Sequence, residues 1–122
     1  MMNSQVSSLL KSFKTIDTVV LYGVETHICV YQTAIDLLKA NYKVFVVVDA
    51  ASSMQWHDRN IGLAALRDAG VKVVSFQQLC FDLMKTFENP KFKDVLKIVR
   101  GDPPVQQLDI ASGLVMEHHA KL

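Results

Sequence analysis

The chain has 122 residues, half of which are hydrophobic, and this places it in the range of one small globular domain. Thirteen Lys and Arg residues balance twelve Asp and Glu residues, so the formal net charge is +1. Such a balance offers no electrostatic footprint for nucleic acid or for an anionic membrane surface, and we expect neither as a partner. The two cysteines have no paired spacing, which argues against a disulfide framework and favours a reducing compartment.

The N-terminal stretch "MMNSQVSSLL" has no basic segment followed by a continuous apolar run. We therefore expect no signal peptide, no transmembrane segment and a soluble, cytoplasmic protein. Apolar residues at helical spacing predict an N-terminal helix, for which Asn3 or Ser4 is a suitable N-cap. The apolar residues of this helix are Val6, Leu9, Leu10 and Phe13.

The next elements alternate between strand and helix. The run "TVVLYG" predicts a buried strand that ends at Gly23. A helix is expected to follow and to run to about Ala40. Its apolar face consists of Val30, Ala34, Leu37 and Leu38. The run "KVFVVVDA" is rich in β-branched residues and has the composition of a strand buried on both faces, which is typical of parallel sheets.

The alternation continues in the second half of the chain. The segment "HDRNIGLAALRDAG" predicts a helix with Gly70 as its C-cap, and "VKVVS" predicts a third strand. Ser75 is expected to cap the helix that contains "QQLCFDLMKTF". Pro90 suits the first turn of a last helix, "PKFKDVLKIVR", which Gly101 closes.

This order of elements predicts an α/β fold, a three-layer α-β-α arrangement around a parallel sheet of the Rossmann type. Three strands are few for an open α/β sheet, which usually has about five or six. The sheet is therefore expected to be incomplete, as in the second half of a doubly wound domain. We assign residues 1–100 to this partial domain and residues 101–122 to a C-terminal tail.

Cys29 lies in the segment "YGVETHICVYQT", where a strand gives way to a helix. Ligands of open parallel sheets bind at the carboxyl ends of the strands, and residues 23–29 and 49–57 both occupy such ends. In the first turn of a helix, backbone amides and the helix dipole stabilise a thiolate and can hold an oxyanion. This position favours acyl transfer through a thioester, although free cysteine is also one of the most frequently buried residue types.

The stretch "GVETHICVYQTAIDLL" resembles the nucleophile segment of the isochorismatase-like cysteine hydrolases, a superfamily that includes nicotinamidases and N-carbamoylsarcosine amidases. The segments "VFVVVDAASS" and "HDRNIGLAALRDAGVKVVS" extend the resemblance in the same order. The segment "ENPKFKDVLKIVR" is similar to the eukaryotic isochorismatase domain-containing proteins. The resemblance covers about residues 1 to 100 and implies the C-terminal half of the domain.

The resemblance implies that Cys29 is the nucleophile and that the backbone amides of Glu25 and Cys29 form an oxyanion hole. It also implies a cis peptide bond between Val24 and Glu25, and a turn held by side-chain hydrogen bonds of Thr26. Isochorismatases proper lack the cysteine and cleave a vinyl ether. The presence of Cys29 therefore favours the amidase-like branch, with an amide-like small molecule as the substrate and no cofactor.

The resemblance also implies two partners that this sequence does not match. The family triad consists of Asp, Lys and Cys, and its Asp and Lys come from the half that precedes the matched segment. Lys11 and Lys14 lie on or after the first helix and do not fit the family position. We therefore expect little or no hydrolase activity from these residues alone.

Further residues near the strand ends are candidates for the pocket. Thr26 and His27 could line it, although a lone histidine is more often a loop residue. Trp56 and His57 are expected in a loop at the same edge, where they could contact a substrate or a neighbouring subunit. Asp49 is expected to accept hydrogen bonds from backbone amides near Ala51 and Ser52, rather than to serve as a catalytic acid.

Three other candidates have structural interpretations. Arg59 is expected to form an ion pair at a helix start, and Cys80 is expected in the core. The pair His118–His119 has no carboxylate or cysteine at metal-ligand spacing, so no metal site is expected.

Two functions remain open. The first is a cysteine hydrolase, impaired in this short chain. The second is a non-catalytic isoform or interaction module that associates with itself or with a full-length relative, because half a sheet exposes an unpaired edge and an apolar face. A homo-oligomer is expected in either case.

Overall fold

The computed structural model describes residues 2–101. Five helices and three strands alternate along this part of the chain, and a π-helical turn, Thr26–Val30, precedes the second helix without a break. In chain order, the elements are α1 (Ser4–Ser12), β1 (Thr18–Val24), α2 (Tyr31–Lys39), β2 (Lys43–Ser52), α3 (Trp56–Asp68), β3 (Lys72–Val74), α4 (Phe76–Met84) and α5 (Phe92–Arg100). The predicted tail and its histidine pair lie outside the described residues, apart from Gly101.

Helix caps lie where the sequence predicts them. The Asn3 side chain accepts a hydrogen bond from the Val6 amide (2.8 Å) at the start of α1. The Ser75 hydroxyl accepts one from the Gln78 amide (3.1 Å) at the start of α4. Gly70 follows the last turn of α3 with a φ of 93°, a conformation that glycine adopts without steric cost. These predictions are confirmed.

The predicted place of Pro90 is wrong. Helix α5 begins at Phe92, and Pro90 lies in the turn that precedes this helix. In this turn the Phe92 amide donates to the Asn89 carbonyl (2.9 Å), and the Lys91 amide donates to the Asn89 side chain (2.9 Å). The fixed φ of proline suits the second position of such a turn.

The three strands form one open parallel sheet in the order β1-β2-β3. One face of the sheet packs against α2 and α3 and carries the main core. Buried members of this core include Ala34, Leu37, Val44, Val46 and Leu66. On the opposite face, Val47 and Val74 are buried together with Met84 of α4. Helices therefore cover both faces, and the predicted α/β fold is confirmed.

Strand β1 is not the buried strand that its composition predicts. None of its residues is buried, because among residues 2–101 it pairs on one edge only, with β2. Val19 and Leu21 pack partly into the core, whereas Val20, Tyr22 and Val24 are exposed on the opposite face. The strand also runs one residue further than predicted.

The pairing of β1 with β2 contains an irregularity near the carboxyl ends. Leu21 pairs with Val46, but Gly23 pairs with Ala51, so β2 accommodates several extra residues between the two pairs. Gly23 has a φ of 125°, which favours glycine at this position. The irregularity redirects the ends of both strands, and such features are frequent beside active sites.

Arg59 supports the irregular end of β2. Its buried side chain donates from Nε to the Ala51 carbonyl (2.8 Å) and from a terminal nitrogen to the Val48 carbonyl. The expected ion pair at the start of α3 is therefore wrong, since the hydrogen-bond partners are backbone carbonyls. Burial lowers the pKa of Arg59, and the charge of Asp49 opposes this shift.

Asp49 connects β2 to α4. Its two carboxylate oxygens lie 2.8 and 3.0 Å from the Phe76 amide, which donates to them. The predicted partners, amides near Ala51 and Ser52, are wrong. The Asp49 carboxylate accepts from the first amide of α4, which has no partner within the helix. Its negative charge also interacts favourably with the helix dipole.

Replacing Arg59 by Met should lower the free energy of unfolding by about 2–4 kcal/mol, because two buried carbonyls lose charged donors. Urea denaturation followed by circular dichroism measures this change. Arg67, exposed in the last turn of the same helix, offers a matched control, and Arg67→Met should change the free energy by less than about 0.5 kcal/mol. Equal losses in the two variants would contradict the role of Arg59.

Candidate active site

The segment that carries Cys29 begins at the carboxyl end of β1. The peptide bond between Val24 and Glu25 is cis. This is the bond at which the family resemblance implies a cis peptide. Residues 24–30 are called the Cys29 turn below.

The Cys29 turn has π-helical geometry over Thr26–Val30. The Glu25 carbonyl accepts hydrogen bonds from the amides of Ile28 (3.2 Å) and Val30 (3.1 Å). Cys29 therefore lies in a π-helical turn that runs into α2, rather than in the first turn of an α-helix as expected. Single π-helical turns are rare and frequently occur at functional sites.

Thr26 ties the Cys29 turn to the end of β2. Its hydroxyl donates to the Ser52 carbonyl (2.8 Å), and its amide donates to the Ser53 hydroxyl (3.1 Å). Residues 52–54 are called the clamp loop below. Because Thr26 is 0% exposed, its side chain supports the turn and is closed to a substrate, contrary to its expected place in the pocket.

A third hydrogen bond joins the same two segments. The Met54 amide, in the clamp loop, donates to the Glu25 carboxylate (3.0 Å). Each segment therefore both donates hydrogen bonds to the other and accepts them from it. These bonds restrain the backbone that precedes Cys29.

His27 lies between the Cys29 turn, the clamp loop and α3. Its Nδ1 is 3.1 Å from the Ser53 hydroxyl and 3.8 Å from the Glu25 carboxylate. Its Nε2 is 3.9 Å from the Asp58 carboxylate. His27 thus lies within hydrogen-bond distance of Ser53, has a carboxylate near each ring nitrogen, and is only partly exposed.

Gly62 allows α3 to approach the Cys29 turn. A Cβ atom at this position would lie 2.7 Å from the His27 Cα and 2.8 Å from the His27 nitrogen. Backbone atoms cannot move away as a flexible side chain can, so any larger residue would displace the turn.

Trp56 and His57 are the first residues of α3 and do not lie in the predicted loop. Trp56 is 69% exposed, and its ring meets that of His57 edge-on at 6.1 Å. The Nε2 of His57 is 3.6 Å from the Asp58 carboxylate. Trp56 therefore presents an aromatic surface to solvent at the start of α3.

The two cysteines have different environments. Cys29 is exposed, whereas Cys80 is partly buried in α4. Burial raises the pKa of the Cys80 thiol, and the nearby charge of Asp49 raises it further. Cys80 thus packs against its surroundings only in part, and its thiol form is favoured.

The part of the chain that the structure describes has cavities away from the Cys29 turn. A cavity of about 390 Å³ lies between α1 and α2, and another of about 680 Å³ lies beside β3. No residue of the Cys29 turn lines either cavity. Within residues 2–101, no group of three or more His, Cys, Asp or Glu residues is arranged to hold a metal ion. None of the helices there has the length and apolar character needed to cross a membrane.

Residues 1–78 match the family described as the isochorismatase domain. The chain belongs to the isochorismatase-like hydrolase family. It is 34% identical over 100 residues to isochorismatase domain-containing protein 1 of Danio rerio. The aligned residues make up 82% of this chain and 35% of that protein. It is 36% identical over 104 residues to isochorismatase domain-containing protein 2 of Xenopus laevis. Here the aligned residues make up 85% of this chain and 51% of that protein. The chain thus spans between a third and a half of these relatives.

Solved structures of the same family have the same fold. The MAR1 ribonuclease of Caenorhabditis elegans superposes with a TM-score of 0.76 at 32% identity, covering 92% of this chain and 57% of that one. The nicotinamidase SaPncA of Staphylococcus aureus superposes with a TM-score of 0.53 at 31% identity, covering 57% of this chain and 44% of that one.

Neither Ser53 nor Gly62 is among the site residues predicted from the sequence. A glycine inside a helix of otherwise good helix formers is a signal of close packing, and it could have identified Gly62. No local pattern indicates the role of Ser53, because its partners Thr26 and His27 lie 27 and 26 positions earlier in the chain.

Replacing Gly62 by Ala should destabilise the protein by about 1–3 kcal/mol, because the added Cβ overlaps the His27 backbone. At an ordinary helix position, the same change stabilises by about 0.5–1 kcal/mol. Ala64→Gly, at an exposed position of the same helix, is the control for helix propensity and should cost about 0.5–1 kcal/mol. Thermal denaturation measures both, and a stabilised Gly62→Ala variant would contradict the close approach.

Proposed function

We propose that Cys29 is the nucleophile of a hydrolase that acts on an amide-like small molecule through a thioester. The observation that carries this proposal is the exposed Cys29 thiol, on a π-helical turn that follows the carboxyl end of a parallel strand. Similarity to a nicotinamidase supports the amide as the substrate class. The proposal places the protein in a reducing, cytoplasmic compartment, where Cys29 stays a thiol.

In the proposed reaction, the Cys29 sulfur attacks the carbonyl carbon and the carbonyl electrons move to oxygen. The backbone amides of Glu25 and Cys29 donate hydrogen bonds to this oxyanion. As the carbonyl re-forms, the C–N bond breaks and the nitrogen leaves with a proton. Water then attacks the thioester, releasing the carboxylic acid and returning the thiol. These steps balance without a cofactor.

The proton transfers in this reaction need an acid–base group. In the family triad an aspartate accepts and returns the proton, and a lysine keeps the thiolate charged. Both belong to a segment that these 122 residues do not match, which agrees with their span of 35–51% of the two curated relatives. We therefore propose that the reaction requires a complete domain and that this chain alone has little or no hydrolase activity.

Ribonuclease activity receives less support as a function. The name of the C. elegans protein describes a ribonuclease. The net charge of +1 in this chain provides little attraction for a polyanion, whereas RNA-binding surfaces are rich in Lys and Arg.

The proposal predicts that Cys29 reacts with iodoacetamide at pH 7 much faster than Cys80 does. Exposure favours attack by Cys29, whereas partial burial and the raised pKa of Cys80 disfavour its thiolate. Mass spectrometry of the two cysteine-containing peptides over time gives both rates in one sample. Equal, slow rates would count against Cys29 as a nucleophile.

The second candidate function is that of an interaction module that associates with itself or with a full-length relative. The exposed face of β1 and its outer edge, which no strand among residues 2–101 pairs, favour it, since Val20, Tyr22 and Val24 expose apolar surface there. Strand β1 also carries no charged residue and no proline, the features that usually protect an edge strand from pairing. Pairing at this edge would extend the sheet beyond β1.

This candidate predicts a mass above 13.7 kDa in light scattering after size exclusion. Tyr22→Arg should shift the chain towards the monomer, because it places a charge on the exposed face of β1. Phe87→Arg is the matched control, since Phe87 is 76% exposed and Tyr22 is 73% exposed. A strictly monomeric, well-folded chain would contradict association, and equal effects of the two variants would contradict the β1 surface.

A further inference from the structure

We propose that Ser53 is a positioning residue for Cys29 and acts through Thr26 and His27. This inference rests on the proposed role of Cys29 as the nucleophile. Ser53 is the one residue of the clamp loop whose side chain contacts two residues of the Cys29 turn in the described structure, at 3.1 Å in each case. Neighbouring Ser52 contributes its backbone carbonyl instead.

The Ser53 hydroxyl can accept one hydrogen bond and donate another in these two contacts. The Ser53 oxygen accepts the hydrogen bond of the Thr26 amide. Its own single proton can then be donated to an acceptor, and the His27 Nδ1 lies within reach at 3.1 Å. With Ser53 as this donor, neutral His27 carries its proton on Nε2, which lies 3.9 Å from the Asp58 carboxylate.

One carboxylate lies at a similar distance from each ring nitrogen of His27. Asp58 of α3 lies on the Nε2 side, where an N–H is favoured. Glu25 lies 3.8 Å from Nδ1, and its carboxylate is already bonded to the Met54 amide. His57 lies 3.6 Å from Asp58 and shares that carboxylate. Protonation of His27 would reverse the contact, because Nδ1–H would then donate to Ser53.

These contacts bear on Cys29 through the backbone. Thr26 and His27 open the π-helical turn that contains Cys29. A fixed orientation of these residues would keep the proposed oxyanion-hole amides of Glu25 and Cys29 in place relative to the sulfur. Without the Ser53 hydroxyl, the Thr26 amide loses its acceptor and the start of the turn can rotate.

The test compares the alkylation of Cys29 by iodoacetamide across pH in four chains: wild type, Ser53→Ala, Ser53→Thr and Ser52→Ala. Ser53→Ala should lower the Cys29 rate constant at pH 7 about tenfold and move its pH profile upward. Ser53→Thr keeps the hydroxyl and should restore most of the rate. Ser52→Ala keeps the carbonyl that Thr26 uses and should match the wild type.

Cys80 is the internal reference in every chain. General loosening of the fold would speed up Cys80, whereas a positioning role slows Cys29 and leaves Cys80 unchanged. A wild-type Cys29 that reacts no faster than Cys80 would overturn the proposed nucleophile. A fast wild-type Cys29 that is unaffected in Ser53→Ala, or variants that accelerate both thiols, would overturn only the role of Ser53.

A second measurement needs no variant. The ¹⁵N chemical shifts of the His27 ring at pH 8 report which nitrogen carries the proton. The assignment predicts the Nε2–H tautomer, with Ser53 donating to Nδ1. The Nδ1–H tautomer would overturn it, even if Ser53→Ala fails to fold.

Discussion

The hydrogen bonds of Thr26 to Ser52 and Ser53 join the carboxyl ends of β1 and β2, and the geometry around Cys29 depends on them. With regular parallel pairing, β1 and β2 would stay in the same register up to their carboxyl ends. Here the ladder loses its register, and Arg59 supplies donors to carbonyls at the irregular end of β2. Buried donors with fixed geometry hold a loop more firmly than surface ion pairs do. Arg59 thus supports the residues that lead into the clamp loop, and Thr26 bonds to the clamp loop itself.

The fold class and most element positions could be predicted because they follow from local periodicity and caps, as at Asn3 and Ser75. Predictions failed where an interaction spans distant parts of the chain. Asp49 bonds to Phe76, 27 positions later, and no local pattern carries that information. The exposure of β1 depends on which strands flank it, since an apolar run looks the same at the centre and at the edge of a sheet.

The candidate site shows the same division. The position of Cys29 after a strand could be read from the sequence, and the cis bond before Glu25 followed from the family resemblance. The partners of His27 could not, because they come from the clamp loop and from α3. The uncovered face of β1 lies on the strand that leads into the Cys29 turn. Whatever covers this face would therefore also border the site, which links the two candidate functions physically.

We expect the contact with the clamp loop to hold the Cys29 turn as firmly as the core is held. Amide hydrogen exchange of Thr26, followed residue by residue by NMR, tests it most directly. We predict that the Thr26 amide exchanges about as slowly as amides at the centre of β2. Release of its hydrogen bond to Ser53 requires the two strand ends to separate. Exchange at the rate of an exposed loop amide would contradict the claim.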